Sequence, residues 1–207
     1  MLTILVAGLG GLGCIVSSLL IRSGIKKLYL VDFDKVEQSN LDRQILFNQG
    51  DIGKYKVLSA KEKLQLIDNN CYIETINKKI DEKFVLPKDI DGIVDCLDNF
   101  KTRFILDSKI FKFHKKVFLV HGGIKEFYGQ VTVIKPGITK SLSDLIGSQK
   151  DIKVNYCYPP AVTIIGSIQA DQVFKIIKND SGILYNKLAI IDLKDYSIDI
   201  IDIDTGG

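Results

Sequence analysis

A group of glycines near the start of the chain has the spacing of a phosphate-binding turn. Gly8, Gly10 and Gly13 form the pattern G-x-G-x-x-G, and Gly11 lies within it. The first glycine permits a tight turn, the second lets backbone approach a phosphate, and the third lets a helix pack closely on a strand. Backbone N–H groups at the start of that helix favour an anion. The pattern predicts a nucleotide site and suits NAD, FAD, ATP or S-adenosylmethionine equally.

Carboxylates and a polar run follow the next predicted strand. Asp32 stands where an acid that binds ribose hydroxyls should stand after such glycines, and Asp34 comes two residues later. The polar run ends at Gln44 and contains Asn40 and Arg43. The Asn40 amide can donate to a phosphate, and Arg43 is a planar cation suited to bidentate phosphate contacts. These residues are candidates for holding a nucleotide.

A second cation and a third acidic position complete the candidate chemistry. Lys56 lies near the start of a predicted helix, and Asp98 and Asn99 follow a predicted strand, where open α/β sheets place their ligands. Asp98 is suited to hold Mg²⁺ against phosphate oxygens. Each residue alone could be a surface ion pair, a solvated helix face or a helix cap. Together with Arg43, they favour nucleotidyl or phosphoryl transfer, because charge that builds up at the phosphates must be neutralised.

The elements that must position these residues alternate between strand and helix. The class is α/β, a Rossmann-like doubly wound sheet that is parallel in its first half and has antiparallel strands toward the C-terminus. We predict strands at residues 2–7, 27–33, 71–77, 90–97, 117–120, 128–134, 187–193 and 197–203, and helices at residues 12–23, 54–67, 100–113 and 161–178. Residues 135–160 contain glycines and prolines without periodicity, which predicts a long crossover loop over the sheet.

Composition excludes several classes of protein. The 207 residues suit one domain, residues 1–207, and the net charge of +3 is too small to indicate nucleic-acid binding. No signal peptide and no apolar run of membrane-spanning length is present. The four cysteines are far apart and none belongs to a C-x-x-C pair, which argues against a redox pair or a zinc site. We therefore expect a cytoplasmic protein with reduced thiols that binds neither nucleic acid nor membrane.

The ordered series of motifs resembles the E1-like adenylyltransferases, the family of ThiF, MoeB, HesA and the catalytic domains of ubiquitin-activating enzymes. The resemblance covers nearly the whole chain and includes Gly129-Gln130-Val131 and Gly166-Ser167-Ile168-Gln169-Ala170. It implies that Asp32 binds ribose and that Asn40 and Arg43 contact phosphates. It also implies that Lys56 contacts the triphosphate and that Asp98 binds Mg²⁺, so that the catalytic residues are Arg43, Lys56 and Asp98. A substrate carboxylate would attack the α-phosphate of ATP, forming an acyl-adenylate and releasing pyrophosphate.

The sequence departs from the family pattern in two respects. Many members hold a structural zinc with two C-x-x-C pairs, but the first pair would fall at Ser141 and Asp144, so no zinc is expected. Many members also have an N-terminal helix whose arginine reaches the partner's ATP, whereas here Met1 directly precedes the first strand. Arg103 is a candidate replacement for that arginine.

Two further residues have competing interpretations. Cys157 could form a covalent adduct with an activated carrier, but a structural thiol fits its spacing better. His121 could line the pocket, but a buried histidine with satisfied hydrogen bonds is the better interpretation. The strand at residues 117–120 is expected to end at His121-Gly122-Gly123.

The leading hypothesis is an ATP-dependent adenylyltransferase acting on the C-terminal glycine of a ubiquitin-like sulfur carrier of ThiS or MoaD type, in cofactor biosynthesis. The first alternative is the same chemistry on a small-molecule carboxylate, such as the pyridinol precursor of the iron-guanylylpyridinol cofactor, whose zinc-free E1-like protein this short chain resembles. Further alternatives are a non-catalytic E1-like scaffold and an NAD(P) oxidoreductase. The family also implies a homodimer. Residues 135–160 are expected to cover the acyl substrate and, lacking a zinc anchor, to be mobile until it binds.

Overall fold

The computed structural model describes residues 2–147 and 156–203 of the chain. Eight strands form one sheet: β1 (Thr3–Ala7), β2 (Lys27–Val31), β3 (Tyr72–Ile76), β4 (Gly92–Asp95), β5 (Phe118–Lys125), β6 (Tyr128–Ile134), β7 (Lys187–Asp192) and β8 (Ser197–Asp202). The α-helices are α1 (Gly11–Arg22), α2 (Lys56–Gln65), α3 (Phe100–Phe113), α4 (Leu142–Ile146) and α5 (Pro159–Lys178). None of the helices in the two described ranges is both long and apolar enough to cross a lipid bilayer.

The strand order is β3-β2-β1-β4-β5-β6-β7-β8. Pairing is parallel from β3 to β5 and antiparallel from β5 to β8. This confirms the predicted α/β class, with its parallel first half and antiparallel end. The order reverses at β1, whose two neighbours are β2 and β4, and open α/β sheets bind ligands at the carboxyl ends of the strands at such a point.

Both faces of the parallel strands are covered. In β1, Ile4 and Val6 belong to an apolar cluster shared with α1, α2 and α5, whereas Leu5 belongs to a second cluster shared with α3 and α4. All five β1 residues are buried. A strand buried on both faces needs a continuous apolar run, which is what the sequence has at this position. The arrangement fixes β1 in the centre of the fold and aims its carboxyl end at the glycine turn.

The turn between β1 and α1 depends on two glycines. Gly8 has φ of +93°, and a Cβ there would lie 2.8 Å from the Cys96 carbonyl oxygen. A Cβ at Gly13 would lie 2.0 Å from the Gly8 carbonyl oxygen. Both obstacles are backbone atoms, which cannot rotate out of the way. Helix α1 can therefore begin directly against the end of β1 only because neither position has a side chain.

Strand β5 is longer than the sequence predicted. The chain was expected to leave the sheet at His121-Gly122-Gly123, but all three residues pair with β6, and the strand continues to Lys125. The hairpin turns at Glu126, a residue with φ of +55°. The two glycines suggested a turn, but they lie within the strand, where Gly122 permits close packing. A Cβ at Gly122 would overlap the Gln169 side chain of α5.

The long loop predicted over residues 135–160 contains a short helix that the sequence did not predict. Helix α4 lies within it, and α5 begins at Pro159, two residues earlier than the predicted start. The Ser141 side chain caps α4 by accepting the Asp144 N–H at 3.1 Å. From α3, the Asp107 carboxylate accepts the N–H groups of Leu142 at 2.9 Å and Ser143 at 3.2 Å. These hydrogen bonds anchor the segment to α3. Residues 148–155, also part of this prediction, lie outside the described residues.

Several of the other helix and strand boundaries differ from the predicted ones by a few residues. Helix α2 begins at Lys56 because Gly53 has φ of +86°, which delays the start of the helix. Leu58 of this helix is 48% exposed, and Ile67 lies beyond its end. The helix predicted at residues 100–113 and the strand predicted at residues 128–134 have the expected bounds.

The Gly13→Ala substitution should destabilise the fold. The added methyl group would displace α1 from β1, and overpacking of this kind costs about 3 kcal/mol. Gly10→Ala is the matched control, since a Cβ there meets no atom nearer than Gln44 Nε2 at 4.0 Å. Urea denaturation of both variants measures the difference. Equal stabilities for the two variants would show that the close approach at Gly13 is not a constraint.

Candidate nucleotide-binding site

The glycine turn lies at the carboxyl end of β1, beside the end of β4, where the strand order reverses. Gly10 precedes the first helical residue of α1, and the backbone there is open to an incoming group. The Gln44 side chain lies nearest to it. The Gln44 Oε1 atom is buried and, among the described residues, has no hydrogen-bond partner. A buried acceptor of this kind beside an open helix start indicates a polar ligand site, because burial without a partner is costly.

Asp32 is bonded to the glycine turn. Its Oδ2 accepts the Leu9 N–H at 2.6 Å and its Oδ1 accepts the Asp34 N–H at 2.8 Å. Burial raises the pKa of the Asp32 carboxyl, while these two N–H groups and the Lys56 charge oppose that rise. Each oxygen keeps a lone pair for a further donor such as a ribose hydroxyl.

Lys56 brings a cation to the same place from the start of α2. Its side chain is 8% exposed and its Nζ lies 3.1 Å from Oδ2 of Asp34, which is half exposed. A buried ammonium group needs an anionic partner, because desolvation of an unpaired charge is costly. Asp34 supplies that partner here, and its exposed position leaves the cation within reach of another anion.

The polar run between β2 and α2 contributes two further side chains, Asn40 and Arg43. Asn40 is buried, and its Oδ1 accepts the Glu37 N–H at 3.1 Å, which leaves its amide N–H groups as donors. Arg43 is partly exposed, with Nη1 2.7 Å from Asp42 Oδ1 and 2.9 Å from the Ser39 carbonyl oxygen. Both contacts use the same nitrogen, so the rest of the guanidinium retains donors for a phosphate.

Asp98 and Asn99 follow β4 at the start of α3. The Asn99 Oδ1 accepts the Thr102 N–H at 2.9 Å and caps the helix. Its Nδ2 donates to Asp98 Oδ1 at 3.0 Å, and Asp98 is exposed. Within the described ranges, no three acidic, cysteine or histidine side chains lie close enough together to hold a metal ion. One carboxylate beside a phosphate site suits Mg²⁺, which is bound in proteins by one or two carboxylates together with substrate phosphates and waters.

Cys157 is influenced by charges of this site, which its spacing did not predict. Burial raises the pKa of its thiol, while the charge of Arg43 lowers it and those of Asp42 and Asp98 raise it. Arg43 and Asp98 therefore both lie within electrostatic reach of one side chain. Cys157 also bridges Glu126 through its backbone, just ahead of α5. The raised pKa argues against a reactive thiolate and favours the structural interpretation of this thiol.

His121 is a fully buried histidine with satisfied hydrogen bonds, as predicted. Its Nδ1 lies 2.7 Å from Asp95 Oδ2 and its Nε2 lies 3.2 Å from Gln130 Nε2. Arg103, the candidate replacement for a family arginine, is buried within its own chain and meets Asp95. Its side chain is only 7% exposed and Nε lies 3.3 Å from Asp95 Oδ2, without hydrogen-bond alignment. A side chain enclosed in this way cannot extend to another subunit.

Asp95 is the residue that sequence reasoning missed. It is fully buried at the end of β4, where it meets both His121 and Arg103. The signal was present: an acid directly follows Ile93 and Val94 within an apolar strand, and buried acids almost always have partners. The partners themselves were not predictable, since they come from β5 and α3.

An open α/β sheet with a glycine turn, an acid bonded to that turn and cations at the point of strand reversal defines a nucleotide-binding protein of the doubly wound class. Comparison with known proteins gives the family. The ThiF family profile matches residues 1–205. The chain therefore belongs to the ThiF family, the E1-like adenylyltransferases that its motifs resemble.

Relatives support adenylyltransferase as the class of enzyme. The molybdopterin-synthase adenylyltransferase of Haemophilus influenzae is 37% identical over 198 residues, which cover 91% of this chain and 79% of that protein. The Escherichia coli protein of the same name is 34% identical over 196 residues, covering 91% and 78%. A probable molybdopterin-synthase adenylyltransferase of Gracilaria tenuistipitata is 32% identical over 202 residues. The matched region covers 94% of this chain but only 56% of that relative.

Solved structures agree on the fold. The crystal structure of E. coli MccB with AMPCPP and MccA superposes with a TM-score of 0.88 at 23% identity. It covers 99% of this chain, which spans 64% of the MccB chain. The structure of PaaA gives a TM-score of 0.82 at 27% identity, with coverage of 98% and 64%. The chain thus corresponds to about two thirds of each of these solved chains.

The free energy of unfolding should decrease as the pH falls, because His121 is buried in the folded state. Burial lowers the pKa of its imidazole, the Asp95 hydrogen bond opposes this, and Arg103 adds to it. Below about pH 6.5 the unfolded chain therefore takes up a proton that the folded chain does not. Stability is lost at up to about 1.4 kcal/mol per pH unit as the pH falls from there toward the lower pKa of the folded state.

The measurement is urea denaturation of wild type and His121→Gln at pH 7.5 and 5.5. Glutamine can still donate to Asp95 but does not titrate, so the difference between the two pH values should shrink. His114→Gln removes the only other histidine and should keep the wild-type difference. An undiminished difference in His121→Gln would contradict the assignment.

Proposed function

We propose that this protein is an ATP-dependent adenylyltransferase that activates a carboxylate as an acyl-adenylate with release of pyrophosphate. The observation behind the proposal is the convergence of Arg43, Lys56 and Asp98 around one glycine turn at the point of strand reversal. The molybdopterin-synthase adenylyltransferases among its relatives, and the E. coli MccB structure with ATP, support it. An NAD(P) oxidoreductase would not need these charges, and a non-catalytic scaffold would not need to retain them.

The residues of the turn fit a triphosphate. Gly10 leaves the start of α1 open, and the first N–H groups of that helix favour an anion. Asn40, Arg43 and Lys56 would contact the phosphates, and Asp32 would accept hydrogen bonds from the ribose. Gln44 has a buried acceptor that is satisfied if a bound nucleotide or an ordered water donates to it. Asp98 would hold Mg²⁺, whose charge screens the phosphate oxygens when it is bound.

The chemistry needs no nucleophile from the enzyme. A substrate carboxylate is ionised at neutral pH and can attack the α-phosphorus directly, forming a carboxyl–phosphate bond while the bond to pyrophosphate breaks. Arg43 and Lys56 would stabilise negative charge on the transferring and departing phosphates. The remaining contribution is alignment of the carboxylate with the α-phosphorus, which a rigid turn at a strand end can supply.

We propose the C-terminal glycine of a ubiquitin-like sulfur carrier of ThiS or MoaD type as the acyl substrate. The support comes from relatives named for molybdopterin synthase. A small-molecule carboxylate, such as the pyridinol precursor named above, is the second candidate. It is favoured by the cap at Ser141 and Asp144, where the family's first pair of zinc thiolates would stand. Residues 135–160 would cover either substrate.

Several expectations from the sequence stay predictions of this proposal. They are the absence of a structural zinc, the cytoplasmic location and the homodimer. Light scattering tests the dimer, since a single-chain mass at micromolar concentration would contradict it. Metal analysis after native purification tests for zinc.

ATP with Mg²⁺ should bind, and NAD should not. Asp98→Ala should retain the fold but lose ATP–pyrophosphate exchange by on the order of 100-fold, since the carboxylate that holds the metal against the phosphates is removed. Calorimetry with both nucleotides and exchange at saturating Mg²⁺ measure this. Asp144→Ala is a control with an exposed carboxylate in the α4 cap. Tight NAD binding without ATP heat, or exchange by Asp98→Ala within twofold of wild type, would refute the proposal.

Exchange should depend on the acyl substrate. A carrier protein ending in Gly-Gly should stimulate ATP–pyrophosphate exchange, whereas the same carrier lacking its last two residues should not. A panel of small carboxylates, pyridinol acids included, is assayed in parallel. Stimulation by a small acid alone would replace the leading substrate with the second. No stimulation by either class, with ATP bound, would favour the non-catalytic scaffold.

A further inference from the structure

The turn that bears Asp98 is held by a buried ion pair behind it. Asp95 ends β4, and its Oδ1 accepts the N–H of Leu97 at 3.0 Å. Arg103, one turn into α3, donates from Nη2 to the carbonyl oxygen of Leu97. Asp95 and Arg103 thus bind the backbone N–H and the carbonyl oxygen of Leu97, the residue that directly precedes Asp98.

The pair is itself fixed to the sheet through β5. His121 Nδ1 lies 2.7 Å from Asp95 Oδ2, and Arg103 Nη2 also donates to the Gly122 carbonyl oxygen at 3.0 Å. Gln169 of α5 donates to the Asp95 carbonyl oxygen at 2.8 Å. The network therefore connects the Asp98 turn to β4, β5, α3 and α5, the rigid elements around it.

Stability alone is a weak reason for such a pair. Removing two charges from water costs several kcal/mol per ion, and apolar replacements of buried ion pairs are often neutral or stabilising. Asp98 itself is exposed and bonded to Asn99 Nδ2, so its orientation depends on the turn that carries it. Mg²⁺ demands near-ideal octahedral geometry, and the groups that orient its ligands affect affinity strongly.

We propose that the Asp95–Arg103 pair is a positioning unit, which fixes the Leu97 peptide so that the Asp98 carboxylate faces the metal and phosphates of bound ATP. This inference rests on the proposed function, in that Asp98 is taken to hold Mg²⁺. Arginine suits this role because Nη2 donates to the carbonyl oxygens of Leu97 and Gly122 while a second nitrogen, Nε, lies 3.3 Å from Asp95 Oδ2. A lysine ammonium at the same position is a point charge that cannot span them.

The experiment is a Mg²⁺ titration of ATP binding by calorimetry, with Mn²⁺ electron paramagnetic resonance as a direct measure of bound metal. Arg103→Lys should keep the metal-free affinity for ATP and require about tenfold more metal for half-maximal enhancement of binding. Asp107→Asn is the matched control, since Asp107 is a second buried charged residue of α3 whose side chain holds backbone groups. It should lower stability without changing the metal requirement.

The outcomes separate this inference from the proposed function. If wild type shows no metal-dependent ATP binding, or Asp98→Ala keeps it, the proposed function fails. If both behave as proposed but Arg103→Lys binds metal like wild type, the positioning role is wrong. A shift of the same size in Asp107→Asn would also overturn it, because any loss of stability would then suffice. Should Arg103→Lys not fold, Asp95→Asn serves instead, because it removes the negative partner of Arg103: a raised metal requirement supports the role and an unchanged one refutes it.

Discussion

The close approach of α1 to the end of β1 is the constraint on which the rest of the structure depends. A Cβ at Gly13 would lie 2.0 Å from the Gly8 carbonyl oxygen, so the helix can start there only without a side chain. Because α1 begins so close to the strand, its first N–H groups face the point where the sheet reverses its order. The same contact brings α1 against α5, where Gly166 leaves room for Ile15.

Charge is arranged around that point from separate parts of the chain. Lys56 arrives from α2 and is paired with Asp34, while Asp32 is bonded to the turn itself. Asp98 arrives from the end of β4 on the other side of the reversal. In this state, acidic side chains partner the cations, which keeps them in place without burying an unpaired charge. A phosphate would compete with Asp34 and Asp42 for Lys56 and Arg43.

Hydrogen bonds hold the start of α4 in place. At Ser141 and Asp144 the chain forms a helix cap, and the Asp107 carboxylate receives the first N–H groups of α4. Burial raises the pKa of the Asp107 carboxyl, while the hydrogen bonds from Leu142 and Ser143 oppose that rise. The sequence predicted that residues 135–160 have no anchor, because they lack the zinc thiolates. In the described part of this segment, the hydrogen bonds to Asp107 are such an anchor.

The sequence by itself determined the doubly wound class, the glycine turn and the end positions of Asp32 and Asp98, because each follows from a local pattern of apolar runs, turns and helix starts. It did not determine the network of Asp95, His121 and Arg103, the anchoring of α4 by Asp107, or the extension of β5. Two of the contacts involved join residues that are far apart in the sequence: Asp95 and His121 are 26 positions apart, and Asp107 and Leu142 are 35 positions apart. Which partner a buried polar group finds depends on how strands and helices stack, and only the tertiary structure brings those groups within hydrogen-bond distance.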